Sequence, residues 1–524
     1  MQRRFGCWPG WAALFLLAAG TILSEPTTAD EAVRHRPNIV LILCDDLGYA
    51  DVACYGGKIP TPHIDSLAAQ GMRFTDAHTS SSVCSPTRYG LLTGRYNWRS
   101  RLKRGVLGGL SPRLIEEGRL TLPLLLKQNG YHTACFGKWH LGMDWVVKPG
   151  REVAALSIES RQQVFNVDFG QPIRNGPNAV GFDEYFGISA SLDMVPYTFI
   201  ENDHVTVLPT EDRDFPMMWG RTQGRTRKGP AAPGFDAAQV LPALGQRACR
   251  YIAERAEAAH SGTPFFLYLP LASPHTPILP TAEWQGKSGI NPYADFVMQT
   301  DHVIGQVLHA LEEQKLADNT LVIVTSDNGC SPQANFDELA CHGHYPSGPL
   351  RGHKADLFEG GHRVPFVVRW PGVVPANSVS DHIICLTDVM ATVAEILQVD
   401  LPPDAAEDSI SFLGSLAATG PGKRTHLVSH SINGSFAIRE GNWKLLLCPD
   451  SGGWSDPRPG SAAARDLPPV QLYDLANDLG EKNNLWDKEP QRVERLRRLL
   501  VSFVEQGRST PGPPQPNTTP VQLP

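Results

Sequence analysis

The chain has 524 residues, 41% hydrophobic and 19% charged, which suits one large α/β domain or two to three smaller ones with a sizeable core. A net charge of −7 argues against non-specific nucleic-acid binding, yet leaves an anionic substrate open, because a pocket sets its own local sign. No stretch is apolar over the length that a membrane-spanning helix needs.

Arg3 and Arg4 precede a short apolar run, Trp11 to Ala19, and then the polar "SEPTTADEA". This is the pattern of an export signal over residues 1–30, with cleavage expected within Ser24 to Ala32. The expected location is exported: periplasmic, extracellular or a lysosome-like secretory compartment. Nine cysteines follow without a CxxC pair, so neither a zinc site nor a disulfide scaffold is indicated. Cys330 and Cys341 bracket one loop and are the first pair to test, whereas Cys44 and Cys135 read as buried thiols.

"NIVLILCDD", Asn38 to Asp46, is a continuous apolar run ending in acids, which predicts a buried parallel strand. "TPHIDSLAAQG" predicts a helix with Pro62 in its first turn. "TLPLLLKQNG" and "YHTACFGKWHLG" repeat helix then strand. A polar insertion with weak periodicity, Asp144 to Pro233, predicts a pocket wall. "FFLYLPL" is a further buried strand, Tyr293 to Lys315 a long amphipathic helix, and "TLVIVTS" a strand ending in Asp327, Asn328 and Gly329. The alternation predicts an α/β fold over 35–422, a large mixed and mostly parallel sheet with helices on both faces. From Lys423 the texture changes to short strands and one helix, a smaller antiparallel C-terminal α+β unit over 423–507. The Pro-rich 508–524 is expected to be disordered. Asn433 and Asn517 begin glycan-acceptor patterns.

Asp45 and Asp46 end one predicted strand, and Asp327 and Asn328 end another. Ligands of open α/β sheets bind at the carboxyl ends of strands, and three carboxylates gathered there need a cation among them. An all-oxygen set selects a hard ion, Ca2+ or Mg2+. "GKWHLG" sets Lys138 and His140 two apart, on one side of an extended backbone. His275 follows "FFLYLPL", and Lys354 lies in a Gly-rich loop. Any one of these groups alone is a common surface or hydrogen-bonded residue. Together, cations near a divalent metal suit a tetrahedral sulfate or phosphate ester.

"TSSSVCSPTRYGLLTGR", Thr79 to Arg95, places Cys84 just ahead of a helix that Pro86 starts, with Arg88 one turn along the same face. A thiolate there is conceivable, but it matches a hard oxygen-ligand cation poorly. "CSPTRYGLLTGR" resembles the C-x-P-x-R signature of the type I, formylglycine-dependent sulfatases of the alkaline phosphatase-like superfamily. "PNIVLILCDDLGYADVACYGG", "GKWHLG", "GFDEYFG", "SPHTP", "SDNG", "GHKADLFEGGHRVP" and "LYDLANDLGEKNNL" are similar to family blocks in family order, Pro37 to Leu485. They look most like the arylsulfatase A and N-acetylgalactosamine-6-sulfatase branches.

The resemblance implies that Cys84 is oxidised to Cα-formylglycine by a formylglycine-generating enzyme. Asp45, Asp46, residue 84, Asp327 and Asn328 would then bind one Ca2+. Arg88 would hold the aldehyde hydrate and balance charge. Lys138, His275 and Lys354 would contact sulfate, and His140 would hydrogen-bond the hydrate. It also implies in-line attack on sulfur by one hydrate hydroxyl, protonation of the alcohol by His275 or Lys354, and sulfate expulsion helped by His140. Thr87 and Gly90 stand where serine and alanine are common in the family. The implied substrate is a small sulfated sugar or aryl sulfate, with Asp193 in "DEYFGISASLDMVPY" a candidate for selecting a sugar hydroxyl. The run of Arg221, Arg225, Arg227 and Lys228 could hold a polyanionic glycan, although a solvated loop is the commoner meaning of such a run. Two other classes stay open: a phosphonate or phosphodiester hydrolase on the same scaffold, and a non-catalytic glycan-binding protein.

Overall fold

A computed structural model describes residues 36–524, so the expected export signal lies outside the described residues. The large sheet has ten strands, in chain order β1 (Asn38–Asp45), β2 (Met72–Phe74), β3 (His132–Lys138), β4 (Glu184–Ile188), β5 (Ile200–Glu201), β6 (His204–Val205), β7 (Phe265–Pro274), β8 (Thr320–Ser326), β9 (Phe366–Arg369) and β10 (Ser378–Ser380). Across the sheet they run β10-β2-β9-β8-β1-β7-β3-β4-β5-β6. The central five, β8 to β4, are mutually parallel, while β9 turns antiparallel to both β8 and β2. The expected mixed, mostly parallel α/β sheet is therefore what the chain forms.

All eight residues of β1 are buried because both faces of the sheet are covered. Strand alternation divides them. Val40, Ile42 and Cys44 join one core, while Ile39, Leu41 and Leu43 join the other. The helices used below are α1 (Pro62–Ala69), α2 (Cys84–Thr93), α3 (Leu122–Gln128), α4 (Val240–His260), α5 (Pro292–Glu313), α6 (Phe336–Cys341), α7 (Glu359–His362) and α8 (Pro490–Gln506). Helices α4 and α5 supply Leu244, Ile252, Ile304 and Leu311 to the first core; α2 and α3 supply Leu91, Leu92, Leu122 and Leu126 to the second. Among the described residues, no helix is long and apolar enough to cross a membrane.

Several elements were not legible in the periodicity. The polar insertion contains β4, β5 and β6, three strands of the main sheet, and α4 comes soon after it. The C-terminal unit is the expected antiparallel sheet, β11 (His426–His430) to β14 (Gln471–Asp474) by way of β12 (Phe436–Glu440) and β13 (Trp443–Leu446), packed against α8. It is locked to the large sheet by a buried ionic network. Arg439 on β12 holds Asp76 at 2.7 and 2.9 Å, and Lys444 on β13 reaches Glu359 of α7 at 2.9 Å and Glu481 at 2.8 Å.

The Pro-rich segment 508–524 differs from the expected disorder. It has no regular structure, yet Thr518 N–H donates to Arg99 O at 2.8 Å. Arg95 and Arg99 donate to Pro516 O and Asn517 Oδ1 at 2.9 and 3.0 Å. Proline removes backbone donors, but these arginines supply them from the other side of the interface. Asn517 also donates to Val504 O, so its side-chain amide is engaged within the fold. Cys330 and Cys341 are both free thiols, one buried and one exposed, so the first pair to test is not a disulfide in this structure.

Candidate active site

Four parallel neighbours, β8, β1, β7 and β3, end at one edge of the sheet, and each ends in a charged or polar group. Asp45 closes β1, and Asp46 follows in the left-handed region at φ 66°. Asp327 and Asn328 follow β8, His275 follows β7, and Lys138 closes β3. Parallel pairing brings these ends together, which chain positions up to 282 residues apart could not. Asn328 Nδ2 donates to Asp46 Oδ1 at 2.7 Å, and Asp46 N–H donates to Asp327 Oδ1 at 3.3 Å.

Helix α2 enters this edge with all ten residues buried. Val83 is the N-cap, so Cys84 is the first helical residue, one position further in than a cap. Candidate ligand atoms of Asp45, Cys84 and Asp327 all lie within 4.8 Å of one another. Arg88 reaches Asp327 Oδ2 through Nε at 3.0 Å and Nη2 at 2.8 Å, and Lys138 O through Nη1 at 2.7 Å. It also lies 3.7 Å from Asp45 Oδ2. Arg88 thus balances the acids directly, and its three hydrogen-bonding nitrogens are engaged with them and with the β3 carbonyl.

Two lysines and one histidine close the ring. Lys138 Nζ hydrogen-bonds Asp45 Oδ2. Lys354 Nζ lies 2.9 Å from Asp46 Oδ2 and 2.7 Å from Oδ1, and His275 Nε2 lies 3.7 Å from Oδ2. The Lys354 loop is fastened by its own N–H to Cys330 O at 3.0 Å and by Ala355 N–H to Ser82 O at 2.8 Å, close to residue 84. Three carboxylates therefore face three fixed cations. Burial acts to raise the Asp45 pKa, but Lys138, His275, Arg88 and Lys354 outweigh it and hold the group well below the usual carboxylate range. Asp327 goes the other way, pushed up to about 6 by burial and by Asp45 despite Arg88. Burial also pushes the Cys84 thiol up, against Lys138 and Lys354, so the unmodified group is a poor thiolate.

His140 reaches the site differently from the expectation. The strand ends at Lys138, and His140 is left-handed at φ 56°, so alternation along an extended backbone does not aim it. Its N–H donates to Ser189 O at 2.9 Å, and its Nε2 lies 2.8 Å from Leu107 O. A carbonyl can only accept, so Nε2 carries the proton and Nδ1 presents a lone pair. That Nδ1 is buried without a partner. Burial and Lys138 hold the ring well below the ordinary histidine pKa, so it is neutral and Nδ1 carries no proton.

Several supporting residues went unread in the sequence. Tyr293 of α5 donates to Asp46 O at 3.2 Å and to Asp51 Oδ2, and His344 Nε2 lies 2.7 Å from Asp51 Oδ1. Leu107 N–H donates to Ser85 Oγ at 3.2 Å, so one loop touches both the residue after Cys84 and the His140 ring. Asp51 sits inside a quoted block, but nothing local marks it as a support. Asp193 is not joined to the ring by any hydrogen bond or ion pair among the described residues; its carbonyl accepts from Arg227 N–H at 3.1 Å. The basic run is largely spent in exposed pairs: Arg221 with Glu338, Arg225 with Asp214 and Lys228 with Asp212.

The donor set fits a hard cation. Asp45 Oδ1 and Asn328 Oδ1 are enclosed acceptors with no donor, an arrangement that a bound cation would satisfy. A second group with metal-ligand spacing, His78, Glu359 and His362, does not fit one. Lys444 Nζ already stands 2.9 Å from Glu359 and 3.1 Å from His362 Nε2, where it fills the cationic position.

Comparisons with known proteins find similarity over most of the chain. Residues 37–399 match the family model described as Sulfatase. N-acetylgalactosamine-6-O-sulfatase of Bacteroides thetaiotaomicron is 34% identical over 501 residues, covering 89% of this chain and 93% of that protein. Human arylsulfatase A is 32% identical over 493 residues, covering 90% and 86%. A solved structure from work on glycosaminoglycan metabolism by Bacteroides thetaiotaomicron superposes with a TM-score of 0.75 at 32% identity, covering 90% of this chain and 99% of that one.

Proposed function

The chain belongs to the sulfatase family and is a sulfuric ester hydrolase; from that premise we propose that it acts on a small sulfated sugar or aryl sulfate, with residue 84 matured to Cα-formylglycine beside one Ca2+ or Mg2+. The observation that carries this is the meeting of Asp45, Asp46, Asp327 and Asn328 with residue 84 at one sheet edge, including two enclosed oxygens without donors. A thiol pushed up by burial is the wrong nucleophile for such a place.

When bound, the cation would supply charge stabilisation to the ester oxygens, and the formylglycine hydrate would supply a hard oxygen nucleophile. The chain's own groups do the rest. Arg88 fixes Asp327 and the end of β3. Lys138, Lys354 and His275 are the donors for the sulfate oxygens, preset before the substrate arrives. With three carboxylates matched by Arg88, Lys138 and Lys354, a divalent ion leaves the site at least two charges positive, which favours an anionic ester. His275 Nδ1 lies 2.6 Å from Thr276 O, so it donates there, and Nε2 is the atom that can hold the proton for the leaving alcohol. Lys354 Nζ is the second proton source. His140 Nδ1 is the acceptor for a proton from residue 84.

The sulfated-sugar class is supported by the relative named for N-acetylgalactosamine 6-O-sulfate. Maturation implies a formylglycine-generating enzyme as a partner, and the N-terminal pattern implies export. The deciding experiment is mass spectrometry of the peptide spanning Ser81 to Arg88 from protein made in its own host, alongside sulfate release. The expected mass is that of the aldehyde or its hydrate. An unmodified cysteine throughout fully active protein would overturn the assignment.

A further inference from the structure

A cleft of about 680 Å3 lies between the loop 217–224 and residues Gln333 to Glu338, with Thr276 on its inner wall. The volume is typical of small-molecule sites, roughly 300–1,000 Å3. Volume alone does not select it. Cavities of about 540 and 560 Å3 elsewhere are lined by Glu116 and Glu407, and by Trp486 and Val493, away from the sheet edge. Position does select it. Thr276 follows His275 and donates through Oγ1 to Gln333 Oε1 at 3.1 Å. Asn335 precedes Phe336, whose ring meets His353 at 5.5 Å, next to Lys354. The cleft is thus tied to His275 and to Lys354, the two groups assigned to the leaving alcohol.

We infer that this cleft is the subsite for the sugar that continues from the sulfated one, so that the preferred substrate is a sulfated residue within an oligosaccharide. The inference rests on the proposed sulfated-sugar substrate. Its walls specify the chemistry of that neighbour. Arg221, the one cation among the lining residues, is paired with Glu338 across the cleft. Thr222, Gln333 and Asn335 offer hydroxyl and amide groups, and Met217 and Met218 add apolar surface. Amide and hydroxyl groups beside a small apolar surface suit a neutral or acetamido sugar. A polyanionic chain would need unpaired cations, which these walls do not present.

The test compares sulfate release from the methyl glycoside of 6-O-sulfated N-acetylgalactosamine with release from a neutral trisaccharide carrying that residue at its non-reducing end. For the matured wild-type protein, the trisaccharide KM is expected to be about tenfold lower. Thr222→Ala/Gln333→Ala should raise the trisaccharide KM to the monosaccharide value and leave kcat/KM for the monosaccharide unchanged. A purely structural role would move both substrates together. The ratio of the two KM values should persist when NaCl is raised from low to high concentration, because the cleft has no unpaired cation. Equal KM values in wild type, a variant that weakens both substrates equally, or a ratio that collapses with salt would each overturn the subsite. Release from an aryl sulfate but from neither sugar would instead overturn the sulfated-sugar substrate and the subsite with it.

Discussion

Arg88→Met replaces a fully buried guanidinium with an apolar chain of similar length, removing two hydrogen bonds to Asp327 Oδ2 and one to Lys138 O. The Asp327 carboxylate is then left buried beside Asp45, an environment that already pushes its pKa up to about 6. Breaking a buried ion pair from one side costs about 3–5 kcal/mol, because the remaining charge loses its compensation. Removing the charge from both sides costs much less. Arg88→Met/Asp327→Asn should therefore recover most of that loss, although neither variant releases sulfate. The measurement is urea unfolding, midpoint and slope, at neutral pH in chelator so that a bound cation does not mask the charge. Acid should relieve the single variant. Without Arg88 the folded-state pKa of Asp327 rises further above the unfolded value, so the native state takes up a proton as pH falls and the penalty shrinks. A single variant within about 1 kcal/mol of wild type, or a double variant no more stable than the single, would refute the assigned charge balance.

Gly90 lies inside α2, and a Cβ there would stand 2.5 Å from Ser80 Oγ, a buried hydroxyl with no partner. Gly90→Ala alone should therefore gain no thermal stability, whereas adding it to Ser80→Ala should gain about 1 kcal/mol, the ordinary helix preference. Glu481 is pushed up to about 7 by burial, against Lys444 and with Glu359 adding repulsion. A carboxyl raised in the folded state makes the protein lose stability as pH rises from about 4.5 to 7, so Glu481→Gln should flatten unfolding midpoints across that window. Ending the chain after Gly507 removes acceptors from Arg95, Arg99 and Lys103. The truncated protein should melt lower but keep its KM at low temperature.

Much of the site was legible because its groups fall at strand ends. β1, β7 and β8 are buried over their whole length and carry long apolar runs, so the polar residues that end them stand out in the sequence, and the all-oxygen donor set follows from residue type. Cys84 was legible as a mismatch with that set. His140 lies at the site for a cause other than strand alternation, because strand periodicity stops at Lys138 and a left-handed backbone takes over. The proline-rich tail misled for a related reason: what orders it is donated by Arg95, Arg99 and Lys103, some 400 residues away in the chain.

Residue type and local pattern determined the alternating α/β architecture, the acids at the strand ends and a helix starting close after residue 84, since each depends on neighbours within a turn or a strand. Tertiary structure decided the rest. Only parallel pairing of β8, β1, β7 and β3 turns four separate chain ends into one ring of charge. Only that ring determines which acid is held low and which is pushed up, because Coulomb interactions act through space and burial strengthens them. The support of Asp46 by Tyr293 and Asp51, the aim of His140 through Leu107, and the cleft beside Thr276 likewise arise from contacts between distant segments, which local pattern does not encode.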